Sequence, residues 1–107
     1  MRLTAAILLL SATPALAQHP CAKDAIEKAK PLLELHHGEK LEGFGTIDDK
    51  VKVLPAIKAL KGSGRLDVLE VWGYIYKAEY RMRFIYVQSK HGCGLIGQEI
   101  IENSNPY

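Results

Sequence analysis

The chain has few of the residues from which catalytic and metal sites are usually built. Its 107 residues include two cysteines, two methionines and four histidines, and no CxxC, HxH or HExxH motif occurs. None of the serines lies in a nucleophile elbow. The Gly62-Ser63-Gly64 segment is too short to cradle a phosphate group and is not followed by a predicted helix. We therefore predict a non-enzymatic protein without a cofactor.

The chain also lacks a strong excess of charge of one sign, with a formal net charge of +2. A balance this close to zero argues against nucleic acid as the partner. The charges are unevenly spread, however. Residues Gln18 to Asp49 carry four lysines and seven acids, whereas Lys50 to Lys90 carry nine basic and three acidic residues. With no internal repeat or linker between them, these two modules predict one domain over residues 18–107, with an acidic first part and a basic second part.

No apolar run is long enough to span a bilayer, which takes roughly 20 residues. The longest run, Leu3 to Leu10, follows the positive Met1-Arg2 start. Pro14 ends that region, and Ala15-Leu16-Ala17 has the small-x-small form of a signal-peptidase site. We expect residues 1–17 to be a cleaved signal peptide. The protein would then be exported to the periplasm or secreted, and would not span a membrane.

The two cysteines, Cys21 and Cys93, lie near opposite ends of the exported part. In an oxidising compartment an even pair predicts a disulfide, and neither cysteine has the spacing of a redox or zinc motif. Closing so long a loop would remove denatured-state entropy worth about 4 kcal/mol in the chain-entropy model. A domain of about ninety residues has a modest core and would benefit from this constraint.

The acidic module shows the periodicity of an amphipathic helix. Its apolar stripe comprises Ala22, Ala25, Ile26, Ala29, Leu32 and Leu33. Asp24 is a candidate cap at the start, and Gly38 is a candidate left-handed stop. Pro31 interrupts the pattern without changing its phase, which predicts a kinked helix or two short ones. Residues 39–50 are predicted to form a loop.

The basic module has the composition of antiparallel strands. Strands are predicted over 51–60, 66–76, 80–88 and 95–101, separated by glycine-containing turns or short polar segments. Pro55 favours an edge position for the first of them. The predicted fold class is therefore α+β, with the N-terminal helix packed on one face of a four-stranded antiparallel meander.

Six of the eight aromatic residues lie between Trp72 and Tyr86. Side chains alternate between the two faces of a strand, so the turn length decides which of these rings share a face. A two-residue turn at Lys77-Ala78 would pair Val71 with Phe84 and Trp72 with Arg83. It would place Tyr80, Met82, Phe84 and Tyr86 on the buried face. A three-residue turn would instead mix arginines with the apolar set. We prefer the two-residue turn, because it separates apolar from charged side chains better, although Lys-Ala is a poor turn pair.

A three-residue loop at Gly62-Ser63-Gly64 fixes the pairing of the first two strands in the same way. It places Val51, Val53 and Ile57 on the buried face. The opposite face then receives rings and cations, the residue types that dominate binding hot spots. The predicted partner-binding residues are Trp72, Tyr74, Tyr76, Arg81, Arg83, Lys52 and Lys58. We expect a small binding module, similar in general build to inhibitors, immunity proteins or assembly factors, whose partner is a protein or an anionic polymer of the envelope. Two alternatives remain: cross-strand packing that only stabilises the sheet, and self-association into a homodimer through this face.

The histidines offer a different function, a periplasmic copper- or zinc-binding protein. A Cys21–Cys93 disulfide would bring His19 near His91, while His36 and His37 adjoin at the helix end. Adjacent side chains on a helix point in different directions, and no metal motif is present. These four histidines are therefore weak candidates, and His37 would equally suit the role of a helix C-terminal cation.

Overall fold

The computed structural model describes residues 18–104. They form one helix and five strands: α1 (Ala22–His37), β1 (Gly45–Ile47), β2 (Lys52–Lys58), β3 (Arg65–Ile75), β4 (Ala78–Ser89) and β5 (Gly92–Asn103). The helix packs on one face of a single antiparallel sheet, so the predicted α+β class is confirmed.

The helix α1 is continuous through Pro31 rather than split into two. Its cap residue is Cys21, and Asp24 lies inside the first turn. Asp24 is therefore not the cap. Its carboxylate instead accepts hydrogen bonds from the Tyr86 hydroxyl at 2.7 Å and from Lys28 Nζ at 2.9 Å. Gly38 ends the helix as expected, with φ +93° and its N–H donated to the Glu34 carbonyl.

Strand β3 lies at the centre of the sheet and pairs on one side with β4, which in turn pairs with β5. On its other side, β3 pairs with β1 near its end and with β2 near its start. The predicted loop over 39–50 thus contains a short strand, and the sheet has five strands rather than four. Because β1 and β2 lie one after the other along the same edge of β3, the meander order is otherwise as predicted.

The β3–β4 turn consists of Tyr76-Lys77, one residue earlier than predicted, and Tyr76 has a left-handed φ of +50°. Ile75 therefore pairs with Ala78, and Val71 pairs with Met82. Each predicted cross-strand pair is displaced by two residues. Side chains alternate between the two faces with a period of two, so a displacement of two residues leaves each side chain of β3 and β4 on its predicted face.

The β2–β3 pairing differs from its prediction, because a register irregularity separates Leu54 from Ile57. Val53 pairs with Leu69 before it, but Ile57 pairs with Leu66 after it. Ile57 consequently lies on the face opposite to the predicted one. Pro55 falls within this irregular stretch of an edge strand, where the ladder does not require its missing N–H.

The core lies between α1 and the sheet. Alanines on the helix allow its backbone to approach the strands, and larger side chains of β3 and β4 fill the remaining space. The fully buried members include Ala25, Ala29, Leu33, Leu69, Val71, Met82, Phe84 and Tyr86. The predicted Cys21–Cys93 disulfide is present and ties the start of α1 to β5 across 72 residues of sequence.

Candidate functional site

The outer face of the sheet, which we define as the face turned away from α1, carries most of the predicted binding residues. Cross-strand partners share a face, and the register places on it Thr46, Lys52, Leu54, Ile57, Leu66, Val68, Glu70, Trp72, Tyr74, Glu79, Arg81, Arg83, Ile85, Val87, Glu99, Ile101 and Asn103. Within residues 18–104, no element packs over this face. Lys58 does not belong to it, because Lys58 pairs with Arg65, which has the parity of the helix side.

Glu70 lies at the centre of the outer face and is only 5% exposed. The Trp72 indole N–H donates to one of its carboxylate oxygens at 2.9 Å, and Arg83 Nε–H donates to the other at 3.0 Å. Burial by itself raises the pKa of Glu70. The hydrogen bonds from Trp72 and Arg83, together with the charges of Arg83 and Lys52, outweigh burial and hold that pKa below its ordinary value.

This acid was missed in the sequence analysis because the predicted register placed Arg83 opposite Trp72. In the structure Arg83 is opposite Glu70. A signal was nevertheless present, since Glu70 stands two residues before Trp72 and shares its face at any register. Two of the seven predicted binding residues are thus engaged within the chain, because Trp72 and Arg83 hold a buried carboxylate.

Arg81 behaves differently from Arg83. It lies between Trp72 on β3 and Ile101 on β5. Its Nε is buried and, within the part of the chain that the structure describes, has no hydrogen-bond partner. Arg83, by contrast, reaches Glu99 at 3.9 Å in addition to Glu70. Unlike Arg83, Arg81 is therefore not held by an acid of the described residues.

The outer face is charge-balanced rather than basic. Its cations Lys52, Arg81 and Arg83 are matched by acids that share the face, namely Glu70, Glu79 and Glu99. This balance weakens the expectation of an anionic polymer as partner, because such a ligand needs a net positive surface. It leaves a mixed surface of rings, ion pairs and aliphatic side chains.

The half of the outer face nearest the β4–β5 turn is apolar. Val68 pairs with both Leu54 and Ile85, while Ile85 and Val87 lie opposite Gly97 and Gly94. These two glycines leave room for their neighbours: a Cβ on Gly94 would lie 3.0 Å from Val87, and one on Gly97 would lie 3.3 Å from Ile85. The outer-face side chains of Leu54, Val68, Ile85 and Val87 thus form one aliphatic patch.

Tyr74 and Tyr76 lie at the other end. Tyr74 belongs to the outer face and is 37% exposed, whereas Tyr76 is in the turn and is 89% exposed. Lys77 Nζ lies 5.4 Å from the centre of the Tyr76 ring. Both tyrosines line a cleft of about 370 Å³ with Lys77, Ala78, Glu79, Asn103 and Ser104.

The histidines are held in separate places, each by a different contact. His19 Nε2 lies 2.9 Å from Asp67, His36 Nε2 lies 2.9 Å from Glu102, and His37 Nε2 lies 4.0 Å from Glu39. The backbone N–H of His91 donates to Ser89 Oγ. Over residues 18–104, no group of three or more histidine, cysteine or acidic side chains is arranged to hold a metal ion.

His19 shows how its contacts select one tautomer. Its Nδ1 accepts the Cys21 backbone N–H at 2.9 Å, so the ring proton is on Nε2 and is donated to Asp67. The Asp67 carboxylate also accepts from Gln88. The hydrogen bonds from Gln88 and His19 lower the pKa of Asp67. These hydrogen bonds among His19, Asp67 and Gln88 hold the segment before α1 against the sheet.

Among the described residues, no helix combines the length and the apolar character needed to cross a membrane. No protein-family model, curated protein or solved structure matches this chain.

Proposed function

We propose that this chain is a small exported binding module, without enzymatic activity, that recognises a protein partner through the outer face. The observation that carries the proposal is the open face itself. A sheet surface that no element within residues 18–104 covers combines an aliphatic patch, a partly exposed tyrosine and Arg81, which forms no ion pair in that range.

The balance of charges supports a protein rather than an anionic polymer as the partner. Protein interfaces combine apolar contact with a polar rim, and Tyr, Trp and Arg are enriched in them. On this face, Tyr74 and Arg81 lie on one side of the Glu70 network and the aliphatic patch lies on the other. The network fixes Trp72 and Arg83 in place, so the surface is rigid before a partner binds, which lowers the entropic cost of binding.

Export is supported by the disulfide, which is characteristic of oxidising compartments. The bond joins the start of α1 to β5, so we expect conditions in which it persists to stabilise the fold.

The binding test should avoid residues that hold Glu70, because their loss would perturb the fold. Tyr74→Ser and Arg81→Gln are suitable, since neither side chain forms an ion pair or side-chain hydrogen bond within residues 18–104. The matched control is Leu35→Ser on α1, which removes a 79% exposed apolar side chain from the opposite side of the domain.

The experiment is capture from the native envelope fraction with the wild-type protein and these three variants, each checked for folding by circular dichroism. A protein retained by the wild type and by Leu35→Ser, but lost with Tyr74→Ser and Arg81→Gln, would support the proposal. Capture that is unaffected by both outer-face changes, or the absence of any captured protein, would contradict it.

A further inference from the structure

The two edges of the sheet differ in how they resist pairing with another strand. Exposed edges present unpaired backbone groups, and proteins commonly block them with lysine, proline, short strands or irregular register. The β1–β2 edge has all of these features: it is divided into two strands, contains Lys52, Pro55 and Lys58, and has an irregular register after Leu54.

The β5 edge lacks most of these features. β5 is 12 residues long and contains no lysine, arginine or proline. A register irregularity at Ile96 is its only interruption, which leaves Gly97–Asn103 as an uninterrupted stretch paired to β4 on one side. No strand within residues 18–104 pairs with its other side.

Each of the two acids of β5 has a partner within the chain. Glu99 lies 3.9 Å from Arg83, and Glu102 lies 2.9 Å from His36 Nε2. A strand edge whose acids are already paired offers little repulsion to an incoming strand. Ile101, which is 47% exposed, adds apolar surface beside this edge.

From these observations we infer that β5 is a dimerisation edge, where a second copy of this chain adds its own β5 in antiparallel orientation. Symmetric dimers bring the same surface of each copy together, and antiparallel strand pairing satisfies this symmetry. With the two-fold axis at Ile100, Glu99 lies opposite Ile101 of the second copy, and Glu102 lies opposite Gln98. No acid then directly opposes another acid.

This pairing places both outer faces on the same side of one continuous sheet, with both helices on the other side. The inference concerns an edge and does not depend on the proposed partner recognition by the outer face. It differs from self-association through the outer face, because the backbone of β5, and not the aromatic side chains, forms the contact.

The test is the mass of the purified protein in solution, obtained by export from the full-length sequence and measured by sedimentation from micromolar to submillimolar concentration. We expect a monomer–dimer equilibrium. Ile101→Glu would place two new acids opposite the Glu99 residues. Because Arg81 of β4 lies opposite position 101 and would offset part of the repulsion, we expect the dimer to weaken by roughly threefold. Val87→Glu is the matched control, because Val87 is 40% exposed on the same face but lies on an internal strand.

A charge-swap variant tests the register and guards against a folding defect. In Glu99→Lys/Ile101→Glu, each new acid faces a lysine of the second copy, so the double variant should regain the dimer. Amide exchange in the wild type should also slow with increasing protein concentration within Gly97–Asn103. A monomer at all concentrations, or a dimer that Val87→Glu disrupts and Ile101→Glu does not, would overturn the inference.

Discussion

Glu70 and Arg83 lie directly opposite each other on β3 and β4, and Arg83 Nε donates to the Glu70 carboxylate at 3.0 Å on the face turned away from α1. Removing one partner of a buried pair leaves the other charge uncompensated. We expect Arg83→Ala to lower the free energy of unfolding by about 2 kcal/mol, less than for a fully buried pair because Arg83 is partly exposed.

Chemical denaturation at neutral pH would measure this loss. Arg81→Ala is the control, because it removes the same side chain type from the same face without leaving an acid unpaired. Arg81→Ala should lower the free energy of unfolding by less than about 1 kcal/mol. Equal losses for the two variants would show that Glu70 does not depend on Arg83.

The Glu70 pair also predicts a pH dependence. Its pKa is lower in the folded state than its ordinary value, so its stabilisation is present at neutral pH and is lost as the pH falls through the folded-state pKa. The difference in unfolding free energy between the wild type and Glu70→Gln should therefore shrink as the solution is acidified below about pH 4.5. A difference that stays constant from neutral to acidic pH would contradict the assignment.

Tyr86 predicts a pH dependence at the alkaline end. Burial, followed by its hydrogen bond and proximity to Asp24, raises the pKa of Tyr86 above its ordinary value of 10.0. A raised pKa contributes stability that is complete below the unfolded-state value and declines above it. Tyr86→Phe removes the hydrogen bond to Asp24 and should lower the free energy of unfolding by about 1 kcal/mol at neutral pH. Above about pH 10, its stability should fall less steeply than that of the wild type.

Thermal unfolding at a series of pH values would check this prediction. Its control is Tyr76→Phe, because Tyr76 is exposed in a turn and forms no hydrogen bond to Asp24. Parallel stability curves for the wild type and Tyr86→Phe above pH 10 would contradict it.

Gly73 lies on the helix side of β3, against Leu33 of α1, where there is no room for a side chain. A Cβ at this position would lie 2.8 Å from Leu33 Cδ2 and 3.1 Å from Met82 Cε. Both neighbours are fully buried and cannot move freely. Gly73→Ala should therefore destabilise the fold by roughly 1–3 kcal/mol. Gly64→Ala, where nothing lies within 4 Å, should be close to neutral in the same denaturation assay.

The turn between β3 and β4 can be tested by changing Tyr76, whose φ of +50° is costly for a non-glycine residue. Tyr76→Gly should remove this cost and raise the free energy of unfolding by up to about 1 kcal/mol, after allowance for the greater freedom of glycine in the unfolded chain. The neighbouring change Lys77→Gly, at a position where φ is not positive, should not stabilise the protein. If Lys77→Gly alone raised the free energy of unfolding, the left-handed residue of the turn would be Lys77 and not Tyr76.

Patterns of short range could be predicted from the sequence. The helical stripe keeps its phase across Pro31, and Gly38 provides a left-handed stop; the helix accordingly runs from Ala22 to His37. The disulfide followed from the number and spacing of the cysteines. The division of β3 and β4 between two faces was also correct, because side-chain alternation depends only on the parity of the pairing, and the one-residue error in the turn preserved it.

The pairing of particular residues was decided by the tertiary structure. Tyr76 adopts a left-handed conformation, although glycine and asparagine are the residues that usually indicate one in a sequence. The turn therefore begins one residue earlier than predicted, and Arg83 pairs with Glu70 instead of Trp72. β1 forms because three residues of the predicted loop pair with the free edge of β3. The register irregularity after Leu54 places Ile57 and Lys58 on the faces opposite to those predicted. Local propensity determines which segments become helix and strand. The position of each turn and irregularity in the folded sheet determines which side chains meet, and with them the composition of the outer face.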